Sequence, residues 1–161
     1  MKRYFKAPWG LKLKLLTGGF GLLLLFGALL VGSFGALGLL AIAAVAASDY
    51  VRGYRIDDGQ LTVHRLFWAT HFDLSRVVEV AVYPGGLEGS RSALGLGELF
   101  GFVGWCWHPK LGWYESYATD DTKAVILDFG DKRVFATPES LADFAEVARR
   151  HAKSGRQFTG V

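Results

Sequence analysis

The stretch LLTGGFGLLLLFGALLVGSFGALGLLAIAAVAAS, residues 15–48, decides the architecture of the chain, because its 34 residues carry no charge. An apolar run of about 18 or more residues without charges is typical of a membrane-spanning helix, since buried helices of soluble domains are shorter and striped. We therefore expect this segment to be inserted in a membrane.

The apolar segment is longer than one straight span requires. As a single helix it would measure about 51 Å, whereas the hydrocarbon core of a bilayer is about 30 Å thick. Gly32 and Ser33 lie almost at its midpoint, and a Gly-Ser pair suits a tight turn. We predict a transmembrane helical hairpin formed by residues 15–31 and 34–47.

Two alternatives to the hairpin remain open. Ala28, Gly32 and Ala36 recur at every fourth position, a pattern that lets one unbroken helix pack closely on another copy of the chain. That interpretation makes Gly32 a contact for self-association and not a turn. The segment VAA at residues 45–47 resembles the cleavage site of a signal peptide, although the apolar region is more than twice the usual length.

The distribution of charge predicts the orientation in the membrane. The formal net charge is +3, and residues 1–14 hold five Lys or Arg without any acidic residue, whereas residues 49–161 hold two more acidic than basic side chains. Positively charged flanks remain on the cytoplasmic side. The N-terminus is therefore expected in the cytoplasm, and a hairpin places the C-terminal domain there as well.

Residues 1–14 are interpreted as a basic and aromatic cytoplasmic arm. Tyr4, Phe5 and Trp9 alternate with its cations, which suits aromatic rings at headgroup level and lysines attracted to anionic lipid. The acidic balance of the rest of the chain argues against a nucleic-acid partner, which requires a basic groove. A single cysteine, Cys106, excludes an internal disulfide bond.

Beyond Tyr50 the hydrophobic pattern alternates as in β-strands. Residues 54–56 and 61–66 flank an Asp-Gly turn at Asp58-Gly59, a strong hairpin signal. Further strands are predicted at residues 77–83, 113–118, 124–129 and 132–136, and polar turn residues separate the last three.

The last predicted element is an amphipathic helix. Thr137 suits its N-cap and Pro138 its first position, and Leu141, Phe144 and Val147 fall on one face. The pattern predicts a domain at residues 50–153, a mostly antiparallel β-roll or small barrel capped by this C-terminal α-helix, followed by a flexible tail at 154–161.

A glycine- and aromatic-rich stretch between Pro84 and Gly112 supplies the candidate binding residues. These are Phe100, Phe102, Trp105, Trp107 and Trp113. Because most aromatic clusters belong to a core, we expect at least one of Trp105 and Trp107 to be buried. The alternative is that these rings contact the headgroups of the membrane.

The segments GELFGFVGW at 97–105, LGWY at 111–114 and YATD at 117–120 resemble the bacterial pleckstrin-homology (PH-like) domains found behind one or two membrane helices. The resemblance covers residues 50–150 and implies a strongly bent, seven-stranded β structure capped by the C-terminal helix. It also implies a bacterial cell membrane location. Phosphoinositide-binding relatives use basic residues at the first hairpin loop, whereas this chain has Asp57-Asp58-Gly59, so phosphoinositide binding is not expected.

The sequence offers no catalytic constellation. Cys106 and His108 would share one face of a strand, but no third group orients them, and a metal site would need partners such as His64 and His71 from another hairpin. No metal or cofactor is expected. The predicted function is that of a membrane-anchored, non-enzymatic binding or scaffold module; the alternative is an enzyme or sensor with its site around Trp105 and Trp113.

Overall fold

The computed structural model describes residues 3–48, 50–83, 90–92 and 102–152, with the backbone alone at 31–34, 46, 48, 91–92 and 102. The helices are α1 (Leu11–Ser48) and α2 (Leu141–His151), and a 3-10 turn lies at Leu74–Arg76. The strands are β1 (Arg3–Lys6), β2 (Val51–Asp57), β3 (Gln60–Arg65), β4 (Ala69–Asp73), β5 (Glu79–Tyr83), β6 (Arg91–Ser92), β7 (Phe102–His108), β8 (Gly112–Ala118), β9 (Ala124–Asp128) and β10 (Arg133–Ala136).

The first sheet has the antiparallel order β1-β2-β3-β4. Its edge strand β1 comes from the segment interpreted as an arm, and Tyr4 pairs with Arg55 of β2. Phe5 is buried, and its ring meets the ring of Phe144 edge to face at 5.2 Å. The residues in front of the apolar helix therefore form part of the β domain.

The second sheet has the order β5-β9-β10-β8-β7-β6 and is antiparallel except for the β10–β8 pair. The described strands form two separate sheets, so no closed barrel is present in that part of the chain. The prediction of mostly antiparallel sheets followed by a C-terminal helix is confirmed. Most of the glycine-rich stretch, residues 84–89 and 93–101, lies outside the described residues, as does the predicted tail.

Helix α2 buries the apolar face that the sequence indicates. Phe144 is fully buried, and its ring centroid lies 5.8 Å from that of Tyr54. The helix begins at Leu141 after Ser140, three residues later than predicted. The reason is that the Thr137 hydroxyl accepts a hydrogen bond from the Thr119 amide (2.8 Å) and is not available as a helix cap.

A buried hydrogen-bond network joins the two sheets to the segment before α1. The Tyr54 hydroxyl donates to the Tyr117 carbonyl (2.5 Å) and accepts from the Thr137 amide (3.0 Å). The Thr119 hydroxyl donates to the Pro8 carbonyl (2.7 Å). Because buried polar groups are costly to leave without partners, this network fixes Pro8 against the domain.

Helix α1 is one helical element from Leu11 to Ser48, in place of the two separate helices predicted around Gly32 and Ser33. Gly and Ser only weaken a helix locally, so the pair need not end it. A straight helix of this length would separate its ends by about 55 Å. The rings of Trp9 and Tyr50, which flank the helix, nevertheless lie 5.2 Å apart.

A second contact within α1 agrees with the proximity of its ends. A Cβ placed on Gly27 would lie 3.2 Å from the Leu39 side chain, although twelve positions along a straight helix correspond to about 18 Å. A straight rod is incompatible with both contacts. The path of α1 therefore brings Gly27 close to Leu39 and returns the chain to the domain from which it started.

Candidate functional site

The two ends of α1 meet the domain at one place, formed by residues 8–10 and 50–51, which we call the helix base. The Gly10 amide donates to the Thr119 carbonyl (2.9 Å), and Lys12 forms an ion pair with Asp121 (3.4 Å). Leu13 is 1% exposed, so the first turn of the helix is packed on the domain. The helix base therefore holds α1 and the sheets in a defined relation.

An exposed apolar loop lies beside the helix base. It consists of residues 66–68, Leu-Phe-Trp, which connect β3 to β4, and we call it the apolar loop. Its position follows from strand pairing, because Arg65 of β3 pairs with Val51, the third residue after α1. The Arg65 amide donates to the Trp68 carbonyl (2.9 Å), and all three side chains are exposed, Phe67 by 67%.

A cleft of about 500 Å³ opens on the outer face of the first sheet, next to the apolar loop. Its lining, which we call the basic cleft, consists of Tyr4, Arg52, Arg55, His64 and Arg65. Strand pairing explains the grouping, since Tyr4 lies opposite Arg55 and His64 opposite Gly53 across β1, β2 and β3.

Gly53 gives the basic cleft its shape. A Cβ at this position would collide with the Tyr4 hydroxyl and would lie 2.7 Å from the Phe5 carbonyl oxygen. The absence of a side chain lets the Tyr4 ring lie across β2, where its hydroxyl donates to the Arg52 carbonyl (3.1 Å). The Tyr4 ring also approaches the His64 ring, with centroids 6.2 Å apart.

Among the described residues, three arginines and no acidic side chain line the basic cleft, so its charge is positive. Within the described part of the chain, neither Arg52 nor Arg55 has an ion-pair partner. Burial, and then the positive charges of Arg55, His71 and Arg52, lower the pKa of His64. The imidazole therefore stays neutral at pH 7, and the arginines supply the charge of the cleft.

Arg65 is held in place by several contacts. Its guanidinium donates to the Thr70 hydroxyl (3.0 Å) and lies 4.8 Å from the Tyr117 ring centroid and 5.7 Å from that of Trp68. Such cation–π contacts restrict the side chain. The residue thus connects the basic cleft to the apolar loop.

The acidic side chains of the first sheet lie at its other end. Asp57 pairs with Gln60, which pairs with Asp73, at the turn far from the helix base. The loop Asp57-Asp58-Gly59 belongs to the same turn and has Asp58 and Gly59 at positive φ. The carboxylates therefore lie away from the helix base, Arg52 and Arg65 lie near it, and Arg55 lies between Arg52 and Asp57.

The candidate binding residues from the sequence are only partly described. Phe100 lies outside the described residues, and Phe102 is described for its backbone alone. Trp105, Trp107 and Trp113 are exposed by 54%, 38% and 60% and form what we call the tryptophan patch. The expectation that Trp105 or Trp107 would be buried is therefore wrong.

The alternation of strand β7 explains that outcome. Cys106, between the two tryptophans, points inward and is buried with Tyr114 and Phe135, whose ring centroids are 4.1 Å apart. Because successive side chains of a strand face opposite sides, a buried Cys106 places both neighbours outside. Trp107 lies opposite Trp113 across the β7–β8 pair, which brings the rings onto one face.

The tryptophan patch and the helix base are separated along the strands. Thr119 contacts the helix base, whereas Trp113 is six residues earlier in the chain, or about 20 Å at the usual rise of a strand. Trp105 pairs with Glu115, about 13 Å from Thr119 by the same measure. The patch therefore extends away from the end where α1 joins the domain.

The described residues contain no group of three His, Cys, Asp or Glu side chains able to hold a metal ion. Cys106 and His108 are both buried on one face, as the sequence suggested. The His108 imidazole accepts a hydrogen bond from the Lys110 amide (3.2 Å), which gives it a structural role in the β7–β8 turn.

Sequence reasoning missed both the basic cleft and the apolar loop. The loop had a usable signal, since three consecutive large apolar residues are unusual in a hairpin connection, where turn residues are normally small or polar. The basic cleft had none, because its residues come from three strands and Tyr4 precedes α1 by several residues.

The described architecture, sheets of mostly antiparallel strands with a C-terminal helix in the core, is that of a PH-like β domain. A family model for the bacterial PH domain matches residues 52–152, more than half of the chain, and the protein belongs to that family. Comparisons with curated proteins and with solved structures gave no match. PH domains are generally non-enzymatic binding modules, and the fold does not by itself specify a ligand. Strand β1 lies outside the matched residues yet completes the first sheet.

Proposed function

We propose that the protein is a non-enzymatic PH-like binding module anchored in the bacterial inner membrane, with its N-terminus and β domain in the cytoplasm. Residues Leu11–Leu30 of α1 have a mean hydropathy of 2.0 and are long and apolar enough to cross a bilayer. Large apolar side chains on α1, such as Leu22, Phe26 and Leu29, are more than half exposed. Lipid is the environment in which such a surface is stable.

The observation that carries the proposal is the meeting of the two helix ends at the helix base. With Trp9 and Tyr50 in ring contact, a single straight span is excluded from the proposal, because it would deliver Tyr50 to the opposite side of the membrane. The contact of Gly27 with Leu39 favours a hairpin that enters and leaves on one side. The five cations before residue 15 favour the cytoplasm for that side.

The aromatic rings at the helix base support the same arrangement. Trp and Tyr are enriched where membrane helices cross the headgroup region. Trp9 precedes α1 and Tyr50 follows it, as this preference would require of a membrane-inserted α1. Backbone hydrogen bonds from Gly10 to Thr119, together with strand β1, hold the domain close to this level. The β domain is thus presented to the membrane in one orientation and not on a loose tether.

In this orientation the tryptophan patch is directed away from the bilayer and is proposed to bind a protein partner. Exposed tryptophans are rare on surfaces without a function and are enriched at the centres of protein interfaces. Their separation of about 13 to 20 Å from Thr119, by strand rise, favours a protein over lipid at this surface.

The anchoring is tested by topology reporters on the full-length chain in a bacterial host. Fusions at the N-terminus and after Val161 are both expected to report the cytoplasm, because a hairpin returns the chain to its starting side. Ser33→Cys in a Cys106→Ser background is expected to react with an impermeant maleimide added from the periplasmic side. A periplasmic C-terminus would overturn the hairpin and restore the single span with Ala28, Gly32 and Ala36 as its self-association face.

A further inference from the structure

We infer that the edge of the domain beside the helix base is a lipid-binding site, in which the basic cleft binds the phosphate of an anionic phospholipid and the apolar loop enters the bilayer interface. The inference rests on the proposed anchoring and names the ligand of the membrane-facing edge. It concerns a surface distant from the Asp57-Asp58-Gly59 turn, the position at which relatives with basic residues bind phosphoinositides.

The height of the apolar loop relative to the ends of α1 supports its insertion in the bilayer interface. Arg65 pairs with Val51, and Tyr50 precedes Val51 in ring contact with Trp9, so residues 66–68 begin at the height of the interfacial aromatic pair. An exposed Leu-Phe-Trp sequence is unfavourable in water and favourable at a bilayer interface, where apolar area is removed from water and Trp is stabilised at headgroup level.

The level of the basic cleft supports contact with headgroups. Arg52 follows Tyr50 by two residues, or about 7 Å of extended chain. The headgroup layer extends roughly 5–8 Å beyond the hydrocarbon on each side of a bilayer. A lipid next to α1 therefore has its phosphate within reach of Arg52, and the backbone of Arg65 lies at the same height because it pairs with Val51.

The chemistry of the cleft fits a phosphate monoanion with apolar chains beneath it. Guanidinium groups form paired charge-assisted hydrogen bonds with phosphate oxygens, and Arg is more suited to this geometry than Lys. Arg52 and Arg55 have no ion pair within the described residues, and Arg65 is already oriented by Tyr117 and Thr70. A site with restricted side chains loses less entropy when the ligand binds.

The position of the carboxylates on the first sheet favours one direction of docking. Carboxylates at Asp57 and Asp73 lie at the end far from the helix base, where a negatively charged surface would repel them least. Arg52 and Arg65 lie at the near end, and Arg55 lies between Arg52 and Asp57 along β2. The orientation that α1 imposes thus directs Arg52 and Arg65, and not these carboxylates, toward an anionic bilayer.

The cleft is tested with full-length protein reconstituted in nanodiscs of equal parts phosphatidylcholine and phosphatidylglycerol, then extracted in mild detergent for native mass spectrometry. The wild type is expected to retain phosphatidylglycerol in preference to phosphatidylcholine. The Arg52→Ala/Arg55→Ala variant is expected to retain it about tenfold less, because two charge-assisted contacts are lost.

Two controls keep that result specific. Arg76→Ala/Lys110→Ala removes the same charge from exposed positions outside the cleft and is expected to retain the lipid as the wild type does. Arg52→Lys/Arg55→Lys keeps the charge without the paired geometry and is expected to fall between. Equal retention of both lipids by the wild type, or unchanged retention in the Arg→Ala variant, would overturn the inference.

A further arm distinguishes a lipid from a soluble ligand. Inorganic phosphate at millimolar concentration is not expected to displace the retained phosphatidylglycerol, because the chains of the lipid contribute to its binding. Displacement at low millimolar phosphate would assign the cleft to a soluble anion and overturn the lipid inference. Failure of the anchoring itself would be seen separately, as extraction of the full-length chain from membranes by alkaline carbonate.

The apolar loop is tested by quenching tryptophan fluorescence with lipids brominated on their acyl chains. Trp68→Phe is expected to reduce the fraction of emission that is quenched, whereas Trp113→Phe is expected to leave the amount of quenched emission unchanged. Trp9 contributes equally to all three proteins and cancels in the comparison. Equal quenched emission in Trp68→Phe and the wild type would overturn insertion of the loop.

Discussion

Two exposed aromatic regions of this protein differ in where the fold places them. The apolar loop exposes Phe67 and Trp68 beside the helix base, and the tryptophan patch exposes Trp105, Trp107 and Trp113 toward the other end of the β7–β8 hairpin. The comparison teaches that exposure does not identify the partner of an aromatic side chain. The position of each region relative to α1 separates the two, because an arginine lies beside both: the Arg65 guanidinium lies 5.7 Å from the Trp68 ring centroid, and Arg91 pairs with Trp107.

The two exposed regions also rest on different clusters of buried residues. The strands that carry the apolar loop rest on the large core with Phe5, Tyr54 and Phe144, whereas the tryptophan patch lies over a smaller cluster with Cys106, Tyr114 and Phe135. Substitutions in the large core are therefore expected to disturb the edge beside the helix base first.

The largest effect is expected from Phe144→Ala, which removes a fully buried ring in contact with Phe5 and Tyr54. Truncations of this kind cost about 3–5 kcal/mol, because a cavity remains. Thermal unfolding of the full-length protein in mild detergent measures the loss. Because Phe5 belongs to β1, lipid retention by the basic cleft should fall as well, and a loss of less than about 1 kcal/mol would contradict this account of the core.

A smaller effect is expected from Gly53→Ala, since the added methyl group would collide with the Tyr4 hydroxyl and the Phe5 carbonyl. Overpacking of this kind costs about 1–3 kcal/mol and would displace Tyr4 from the basic cleft. Thermal unfolding and lipid retention should both decrease. Gly18→Ala serves as the matched control, because nothing lies within 4 Å of a Cβ at that position.

A substitution in the tryptophan patch should weaken the binding of a protein partner without lowering the stability of the protein. Trp113→Ala removes a ring that is 60% exposed, and surface substitutions change stability by about 0.5 kcal/mol or less. The unfolding temperature and the retained lipid should stay close to those of the wild type, whereas association with a protein partner in a crosslinking pulldown should be lost. A parallel loss of lipid retention would remove the distinction between the two regions.

The smallest effect is a pH dependence from His64. Burial and the charges of Arg55, His71 and Arg52 lower its pKa below 6.5, so the folded state disfavours the protonated form. Stability is therefore complete above about pH 6.5 and declines as pH falls through the lowered pKa. The charged groups that face the imidazole are these three and Arg65, with the neutral Tyr4 ring alongside.

Anionic lipid should reverse the sign of that dependence. A phosphate in the basic cleft favours the imidazolium, so acidification is expected to strengthen retention of phosphatidylglycerol while it weakens the lipid-free protein. His64→Gln should remove both slopes, and nuclear magnetic resonance titration of the His64 ring measures the pKa directly. A pKa that falls further when phosphatidylglycerol is added would contradict a phosphate in the cleft.

Local patterns in the sequence predicted most of the elements of the domain, because each depends on residues close in the chain. The Asp58-Gly59 turn, the alternating strands and the apolar face around Phe144 are such patterns, and the structure contains all three. The inward or outward direction of Trp105 and Trp107 could not be read in this way. Every residue from Phe102 to Trp107 is apolar or a glycine or cysteine, so no alternation showed which face was buried.

Composition and short-range periodicity are enough to predict an apolar helical segment, a mostly antiparallel domain of the PH-like class and a cationic N-terminal region. Long-range packing is what makes Arg3–Lys6 a strand, brings the helix ends together at Trp9 and Tyr50, and forms a basic cleft beside them. The physical reason is that pairing between β1 and β2 joins residues about fifty positions apart, and such contacts depend on the packing of the whole domain and not on any local pattern.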